Sequence, residues 1–463
     1  MLHARIVEAL EALAGDRLAE QVERLAHHAL RGEVWAKAVA YGRQAGTKAA
    51  EHSAYQEAVT YIEQALQALP HLPECRETLE QAIDLRLDLR QALYALAAHR
   101  PMGDPLREAE ALAEALGDQR RLGYVSAYLS HYFWAVGDQE SALVAGQRAL
   151  ACAETLGDVP LQGIATLYLG QTCSTLGAYP QAIAYLRQSV ASFEGAQRRE
   201  RYGLPYLPAV ISRHLLAGSL AAVGAFTESL AVGDEGVQIA EATDHSLSRI
   251  GAYIGLGIAC FVKGDMPQAI PLLERSLALC QAATIPPVPA LPTALGAAYA
   301  LCGRVTEALP LLEQAVEQAN VAGPLVNQPL FIAYRSQGYL RAGRWEEAFQ
   351  SAQRAVDLAR AHRARGHEAE ALYVLGAIAR HRDPPASQEA EAHYRQALAL
   401  ADELGKRPLA AHCHSGLGML YGHIGRHEQA RAELAAAIAL YRAMAMTFWL
   451  PQTEAALAQE EGR

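Results

Sequence analysis

The chain has 463 residues, of which 51% are hydrophobic, and its 50 acidic and 40 basic side chains give a formal net charge of −10. Nucleic-acid-binding proteins usually show a basic surplus or a basic stripe, so this balance argues against nucleic acid as a partner. Alanine and leucine supply most of the apolar residues, which favours helix over strand.

The sequence contains no segment that we expect to cross or enter a membrane. The first residues, MLHARIVEALEAL, carry charges among the apolar positions and do not form a signal peptide. The longest uncharged run, Ser276 to Gly303, is interrupted by four prolines and predicts two helix ends around a turn. The seven cysteines are scattered without a Cys-x-x-Cys pair, as in a reduced protein. We therefore expect a cytoplasmic chain with no membrane partner.

One segment recurs along the chain. GDMPQAIPLLERSLALCQAA, from Gly264 to Ala283, has near-copies that begin at Gly177, Gly303 and Gly343. Each copy reads as a turn glycine, a helix start and a helix with small residues at fixed positions. A segment that repeats at fixed spacing predicts a stack of similar units rather than a single globular core.

Small residues set the period of the repeat. The one that opens the second helix of each unit recurs at a spacing of 40 between 142 and 182, 229 and 269, 308 and 348, and 390 and 430. Another small residue lies twelve positions earlier in most units, and a third lies seven positions later. Small residues allow two helices to approach closely, so this pattern predicts antiparallel helix pairs that stack on one another. In chain order, the second-helix positions are Ala38, Ala58, Ala142, Ala182, Ser229, Ala269, Ala308, Ala348, Ala390 and Ala430.

The small-residue pattern, with an aromatic residue three positions before it at Tyr55, Tyr179, Phe226 and Trp345, resembles the tetratricopeptide repeat. The usual period of that repeat is about 34 residues, so the period of 40 resembles the long-helix, MalT-like variety. This resemblance implies an all-α fold: a right-handed superhelical solenoid of antiparallel helix pairs with a period of about 40.

Residues 18–74, beginning LAEQVERLAHHALRGEVW, together with ETLEQAIDLRLDLRQALYAL at 77–96, resemble the start of the repeat arm in bacterial multidomain proteins. In those proteins a STAND-type ATPase or a class III nucleotide cyclase module precedes the arm. The resemblance predicts three regions: N-terminal helical repeats at 1–76, the solenoid at 77–446, and a C-terminal capping helix at 447–463.

The resemblance also implies a function. We expect a non-catalytic protein–protein interaction and sensing scaffold, the repeat arm of a bacterial signal-transduction protein, whose partner is a protein or peptide and possibly includes an ATPase or cyclase effector module. Two alternatives stay open. One is a regulatory fragment of an ATPase or a nucleotide cyclase whose catalytic modules lie outside this chain. The other is a receptor domain for a small-molecule inducer.

The sequence lacks the motifs that enzymes of several classes require. It has no G-x-x-x-x-G-K-[ST], no G-x-S-x-G and no H-E-x-x-H, so we expect no enzyme activity and no cofactor. The histidines near 412–427 are the one cluster that suggests a metal. His412 and His414 cannot share a helix face, and His423 and His427 flank a glycine turn, so we expect no metal site there.

One stretch breaks the period. The spacing from Ala182 to Ser229 is 47, and the excess falls in the basic and aromatic segment Gly195 to Pro208. Such an insertion is either a contact site or a tolerated longer loop.

The resemblance places the first helix of each pair along a concave groove. The groove positions combine a polar start, an apolar middle and a mildly basic end. The Lys/Asn clamp with which chaperone-binding members hold an acidic tail is missing from them, so a chaperone tail is disfavoured. The apolar middle is explained equally well by packing between neighbouring first helices. The candidate binding residues are His131, Trp134, Gln171, Ile254, Ile258, Phe261, Gln337, Arg341, Tyr373 and Arg380.

Overall fold

The structure, a computed structural model, describes residues 2–52, 54–96, 98–322, 326–382 and 386–462. Within these ranges the chain forms 23 α-helices and short 3-10 turns, and no strand. The first helices are α1 (Leu2–Ala14), α2 (Val22–Arg31), α3 (Trp35–Glu51), α4 (Tyr55–Ala68), α5 (Arg76–Ala95), α6 (Gly103–Leu116), α7 (Gln119–Ala135), α8 (Gln139–Leu156), α9 (Val159–Leu176), α10 (Tyr179–Ser192), α11 (Pro208–Ala222) and α12 (Phe226–Glu241). The remaining helices are α13 (Ser246–Lys263), α14 (Met266–Ala282), α15 (Ala290–Leu301), α16 (Val305–Ala322), α17 (Gln328–Arg341), α18 (Trp345–Ala361), α19 (Arg365–His381), α20 (Ser387–Leu404), α21 (Arg407–His423), α22 (His427–Ala443) and α23 (Leu450–Glu461).

Successive helices pack as pairs, among them α11 with α12, α13 with α14, α17 with α18, α19 with α20, and α21 with α22. At the start of the chain, α3 packs against both α2 and α4. It therefore serves two pairs, which accounts for the short spacing between Ala38 and Ala58. The prediction of an all-α solenoid of antiparallel helix pairs is confirmed.

The repeated segment from Gly264 has the predicted local structure. Gly264 ends α13 with φ of +89°, a left-handed conformation that glycine adopts without steric cost. Proline follows in the first turn of α14, where no intrahelical N–H bond is lost. Ala269, Leu273 and Ser276 are then fully buried along one face of α14.

The two small positions twelve residues apart meet in several helix pairs. Ser336 Oγ on α17 donates to the Ala348 carbonyl oxygen on α18 at 2.6 Å, and Ser229 Oγ on α12 donates to the Ala217 carbonyl oxygen on α11 at 2.7 Å. A Cβ on Gly296 would lie 3.0 Å from the carbonyl oxygen of the residue twelve positions later. The predicted close approach of the paired helices is therefore present in the structure.

The chain divides into two compact units. The first comprises residues 1–132, 144–165 and 201–205, and the second comprises residues 133–143, 166–200 and 206–463. Inside the first unit, the guanidinium of the fully buried Arg90 lies 4.2 Å from the ring centroid of Tyr128. The division predicted from the sequence at residues 76 and 446 stays a prediction, and its last residue, Arg463, lies outside the described residues.

The segment from Gly195 to Pro208 folds back onto the repeats. In the second unit, the Leu207 N–H donates to Ser248 Oγ at 2.8 Å, and the hydroxyl oxygens of Tyr206 and Tyr168 are 3.2 Å apart. Arg198 pairs with Glu235 at 3.0 Å. These contacts fix part of the insertion against neighbouring helices.

Among the described residues, α13 is the one helix long and apolar enough to span a membrane, and 67% of its apolar window is buried inside the structure. All seven cysteines are free. Five of them are buried, and Cys75 and Cys302 are exposed.

Candidate functional site

The second unit encloses a cavity of about 570 Å³. Every residue that lines it belongs to this unit, and most lie on the first helices of the pairs, from α9 to α21. One turn of each first helix faces the cavity, so side chains three and four positions apart point into it together. On α17 these are Leu330, Tyr334, Gln337 and Arg341, and on α19 they are Glu370, Tyr373, Ala377 and Arg380.

The cavity is partly closed because repeats far apart in the sequence touch within this unit. The Val326 N–H donates to the Ala135 carbonyl oxygen at 3.2 Å. The glycine turns of four successive helix pairs leave no room for a side chain, since a Cβ there would lie within 3 Å of a later residue. These turn contacts join Gly137 to His362, Gly177 to Leu404, Gly224 to Met444, and Gly264 to Phe448 and Trp449.

Apolar side chains form one wall of the cavity. Phe261 on α13 packs edge-on against Tyr334 on α17, with ring centroids 5.6 Å apart. Ile258 lies one turn before Phe261, and Leu330 lies one turn before Tyr334. Burial raises the pKa of Tyr334 far above its usual range, so this phenol stays neutral.

The polar groups of α7 and α9 that line the cavity form hydrogen bonds with neighbouring side chains. Trp134 Nε1 donates to Thr175 Oγ1 at 2.8 Å, and Ser219 Oγ donates to Ser174 Oγ at 3.2 Å. Gln171, on the same helix as Thr175, also lines the cavity. This part of the wall offers amide and hydroxyl groups to a ligand.

Four charged side chains line the cavity: Arg341, Glu370, Arg380 and Lys406. Lys406 Nζ, which is 9% exposed, donates to Glu370 Oε1 at 2.8 Å and to the Gly366 carbonyl oxygen at 3.1 Å. Burial alone would lower the pKa of Lys406, but the Glu370 carboxylate together with Tyr179 and Cys413 outweighs burial, and the pKa is raised. This ion pair leaves the two arginines as the other charged side chains of the wall.

Aromatic and imidazole groups surround these charges. His412 Nδ1 lies 2.7 Å from the Tyr441 hydroxyl oxygen, and its ring lies edge-on to Trp449 with centroids 4.6 Å apart. Burial lowers the pKa of His412 to about 4, and burial lowers that of His367 to about 4 as well. Burial raises the pKa of Tyr373. At neutral pH these three side chains are therefore uncharged.

Eight of the ten candidate residues predicted from sequence line this cavity. They are Trp134, Gln171, Ile258, Phe261, Gln337, Arg341, Tyr373 and Arg380. Whether they bind a ligand stays a prediction.

The other two candidates lie elsewhere. Ile254 is 2% exposed and belongs to the hydrophobic core with Leu291 and Leu295, one turn away from the cavity face of α13. His131 lies in the first unit, 2% exposed, with its ring 5.0 Å from Tyr94. Each lies one helical turn before a candidate that does line the cavity, Ile258 on α13 and Trp134 on α7, so these two positions lie beyond the edge of the cavity rather than on another helix face.

Several lining residues were missed from sequence. Glu370 lies three positions before Tyr373, and His412 lies three before Ser415, so extending each predicted face by one turn would have found both. Lys406 and Trp449 lie at helix ends, where helical periodicity carries no information. Of the suspected histidine cluster, His412 contacts Tyr441, whereas His414 Nδ1 lies 2.5 Å from Glu433 Oε2. Among the described residues no group of three or more His, Cys, Asp or Glu side chains is placed to hold a metal ion.

The comparisons with known proteins agree with this architecture. Residues 386–443, which span α20 to α22, match the model of the tetratricopeptide repeat. The predicted resemblance to this repeat is confirmed. No curated protein sequence matches the chain.

Solved structures show the same fold. A Rap protein complexed with competence and sporulation factor is similar at a TM-score of 0.59 and 15% identity, over 80% of this chain and 99% of that chain. Cut9–Hcn1 of the APC/C has a TM-score of 0.47 and 12% sequence identity, over 98% of this chain and 95% of that chain. A STAND protein with a tetratricopeptide repeat sensor from Pyrococcus horikoshii has a TM-score of 0.43 and 13% sequence identity, over 82% of this chain. The match covers 54% of that longer chain. At 15% identity the likeness to the Rap protein concerns the helical-repeat fold alone.

Proposed function

We propose that this chain is a non-catalytic interaction and sensing scaffold that binds a short peptide in the cavity of its second unit. The observation that carries the proposal is the cavity itself, which combines an apolar wall at Ile258 and Phe261 with polar groups at Gln171 and Gln337 and with charges. Sites for small ligands are concave and mostly apolar, with a few polar groups that fix orientation.

The size of the cavity limits the partner. Its volume of about 570 Å³ lies inside the range of about 300–1,000 Å³ that is typical of ligand pockets. A folded domain does not fit such a space, whereas a few residues of extended peptide do. A small-molecule inducer of the same volume is the second candidate, and the same observation favours it.

The fold supports a peptide partner. Tetratricopeptide-like repeats are typical of protein-interaction and sensing scaffolds. The similar Rap protein was solved complexed with competence and sporulation factor. We propose that occupancy of the cavity is relayed to an effector module, on this polypeptide or another, in a cytoplasmic signalling protein.

The test uses a variant that fills the cavity without disturbing the fold. Gly218 lines the cavity on α11, and a Cβ placed there meets no atom within 4 Å. Gly218→Leu therefore adds a side chain to the empty space, and leucine favours helix more than glycine by roughly 1 kcal/mol. The matched control is Val321→Leu, at an exposed position of α16 outside the cavity.

The measurement is retention of an equimolar tetrapeptide library by the full chain, with mass spectrometry of the released peptides. We expect the wild type and Val321→Leu to retain the same subset, and Gly218→Leu to retain at least about tenfold less, a loss of roughly 1.4 kcal/mol. Phe261→Glu, which charges the apolar wall, is a second blocking variant, provided that circular dichroism shows it folded. Retention of no peptide by the wild type, or equal retention by Gly218→Leu, would refute peptide binding in this cavity. A compound collection screened by thermal shift then tests the small-molecule alternative.

A further inference from the structure

The cavity is positively charged although the chain is acidic. It contains three cations and one carboxylate, and that carboxylate is already paired with Lys406 at 2.8 Å. The chain as a whole has a formal net charge of −10. Two positive charges therefore remain on the cavity wall, at Arg341 and Arg380.

The two arginines lie on neighbouring first helices that pack against each other. Arg341 is the last residue of α17, and Arg380 lies in the last turn of α19. Burial lowers the pKa of His381, and the positive charges of Arg380 and Arg341, which both line the cavity, lower it further. His381 Nδ1 is engaged by the Ala377 carbonyl oxygen at 2.8 Å. The region around the two arginines therefore contains a neutral imidazole and no free carboxylate among the described lining residues.

The hydrogen-bonding capacity of this pair is largely unused. Arg380 Nε is buried and has no hydrogen-bond partner, and Arg380 Nη2 lies 3.3 Å from His381 Nε2. Arg341 is exposed, and among the residues that the structure describes it forms no hydrogen bond and no ion pair. A guanidinium presents five donors in a fixed fork that matches a carboxylate.

We propose that Arg341 and Arg380 together bind a carboxylate of the ligand, so that the cavity selects short peptides that combine apolar residues with one acidic group. The inference rests on the proposed peptide function and specifies its ligand class. Arg341 and Arg380 take the carboxylate, while Phe261 and Ile258 contact the apolar part. Two sources supply the same chemistry: the C-terminal carboxylate of a peptide, or an Asp or Glu side chain.

The experiment separates these two sources. The full chain is offered the tetrapeptide library in two forms, with free C-terminal carboxylates and with C-terminal amides. If the C-terminus is recognised, the free-acid library is retained and the amidated library is not. If a side chain is recognised, both forms are retained and the bound peptides are enriched in Asp or Glu. Either outcome supports the proposal.

Variants assign the binding to the two arginines. Arg341→Met and Arg380→Met keep an unbranched side chain and remove the charge. We expect each to weaken binding of the best retained peptide by about tenfold to a hundredfold, as for the loss of a charged hydrogen bond. Arg341→Lys is expected to retain part of the affinity because the charge persists. The control is Arg275→Met, an exposed arginine on α14 outside the cavity, which is expected to bind like the wild type.

The failure of this inference differs from the failure of the proposed function. If the wild type retains neutral amidated peptides as well as acidic ones, and Gly218→Leu abolishes that binding, the cavity binds peptides but the carboxylate site is refuted. Unchanged affinity of the folded Arg341→Met and Arg380→Met variants refutes it as well. If neither library is retained, both proposals fall.

Discussion

Glycines on the first helices of the pairs differ in what surrounds them, and this difference determines the effect of a substitution. A Cβ on Gly296 in α15 would lie 2.8 Å from Leu312 Cγ and 3.0 Å from the Ala308 carbonyl oxygen. Both distances are shorter than ordinary van der Waals contacts, and the second involves backbone that cannot rotate away. A Cβ on Gly218 in α11, by contrast, would have no atom within 4 Å.

We predict opposite effects for alanine at these two sites. Gly296→Ala gains roughly 1 kcal/mol of helix propensity but incurs an overpacking cost of about 1–3 kcal/mol, so we expect net destabilisation. Gly218→Ala gains the propensity alone and is expected to stabilise by up to about 1 kcal/mol. Chemical denaturation of both variants and the wild type checks the pair. Equal effects would contradict the claimed close approach of α15 and α16.

The buried His412 makes the stability of the fold depend on pH. Its folded pKa of about 4 lies below its ordinary value of 6.5, because burial disfavours the charged ring. The nearby Glu370 carboxylate acts in the opposite direction but does not outweigh burial. Below pH 6.5 the unfolded chain therefore binds a proton that the folded chain does not. Stability must fall as the pH decreases from about 6.5 to about 4.

We predict that His412→Asn flattens this dependence. Asparagine can retain a hydrogen bond to the Tyr441 hydroxyl but does not titrate. One such histidine contributes a slope of up to about 1.4 kcal/mol per pH unit, so the free energy of unfolding measured between pH 7 and pH 4.5 should fall less steeply in the variant. The control is His423→Asn at an exposed position of the same helix. A slope as steep as that of the wild type would show that His412 is not buried as described.

Sequence patterns predict single residues only when their role follows from periodicity. The small residues and eight of the ten groove candidates were found in this way, because a helix repeats its faces every three to four positions. Glu370 and His412 lie on the same faces, one turn earlier. Lys406 reaches the cavity from a helix end, and its pairing with Glu370 joins residues 36 positions apart. No local pattern reports such a contact.

Several helix pairs are joined by a contact between their two small positions, and at Ser336 and Ser229 that contact is a hydrogen bond from serine. Ser336 is fully buried and donates to the Ala348 carbonyl oxygen at 2.6 Å, whereas Ser192 on α10 is half-buried and donates to a carbonyl oxygen of its own helix. The sequence predicts that both small positions are needed for close packing. It does not reveal that serine also bonds across the pair.

We predict that Ser336→Ala destabilises the chain by about 1 kcal/mol, the usual net value of one buried hydrogen bond. Alanine fits the space, so the loss reports the bond rather than a steric change. Ser192→Ala removes only a bond within one helix, at a half-buried position, and is expected to be neutral or slightly stabilising, since alanine has the higher helix propensity. The comparison is made by thermal unfolding of the two variants. A neutral result for Ser336→Ala would show that this bond contributes nothing to the pair.

The second unit owes its cavity to contacts that no repeat contains by itself. The period of 40 predicts how each pair packs on the next. Small rotations between successive pairs then accumulate, and they decide whether the unit stays open or closes on itself. Here the turns at Gly137, Gly177, Gly224 and Gly264 each meet a residue far along the chain. Sequence spacing therefore predicts the solenoid and most of the cavity wall, but not the enclosure.

The final segment provides a direct test of this enclosure. Phe448 and Trp449 pack on the turn at Gly264, where a Cβ would lie 2.9 Å from atoms of both residues. We predict that a chain ending at Met446 loses this cover, so that amide hydrogens of residues 263–266 exchange faster with deuterium. The turn at Gly137 is covered by His362 instead, and it serves as the internal control. Its exchange should stay unchanged. The truncated chain should also bind the retained peptides more weakly, because Trp449 lines the cavity. The two chains differ only in residues more than 180 positions away from this turn in sequence, so a change in exchange there reports a contact in space. Unchanged exchange at 263–266 would contradict the contact between the final segment and the turn at Gly264.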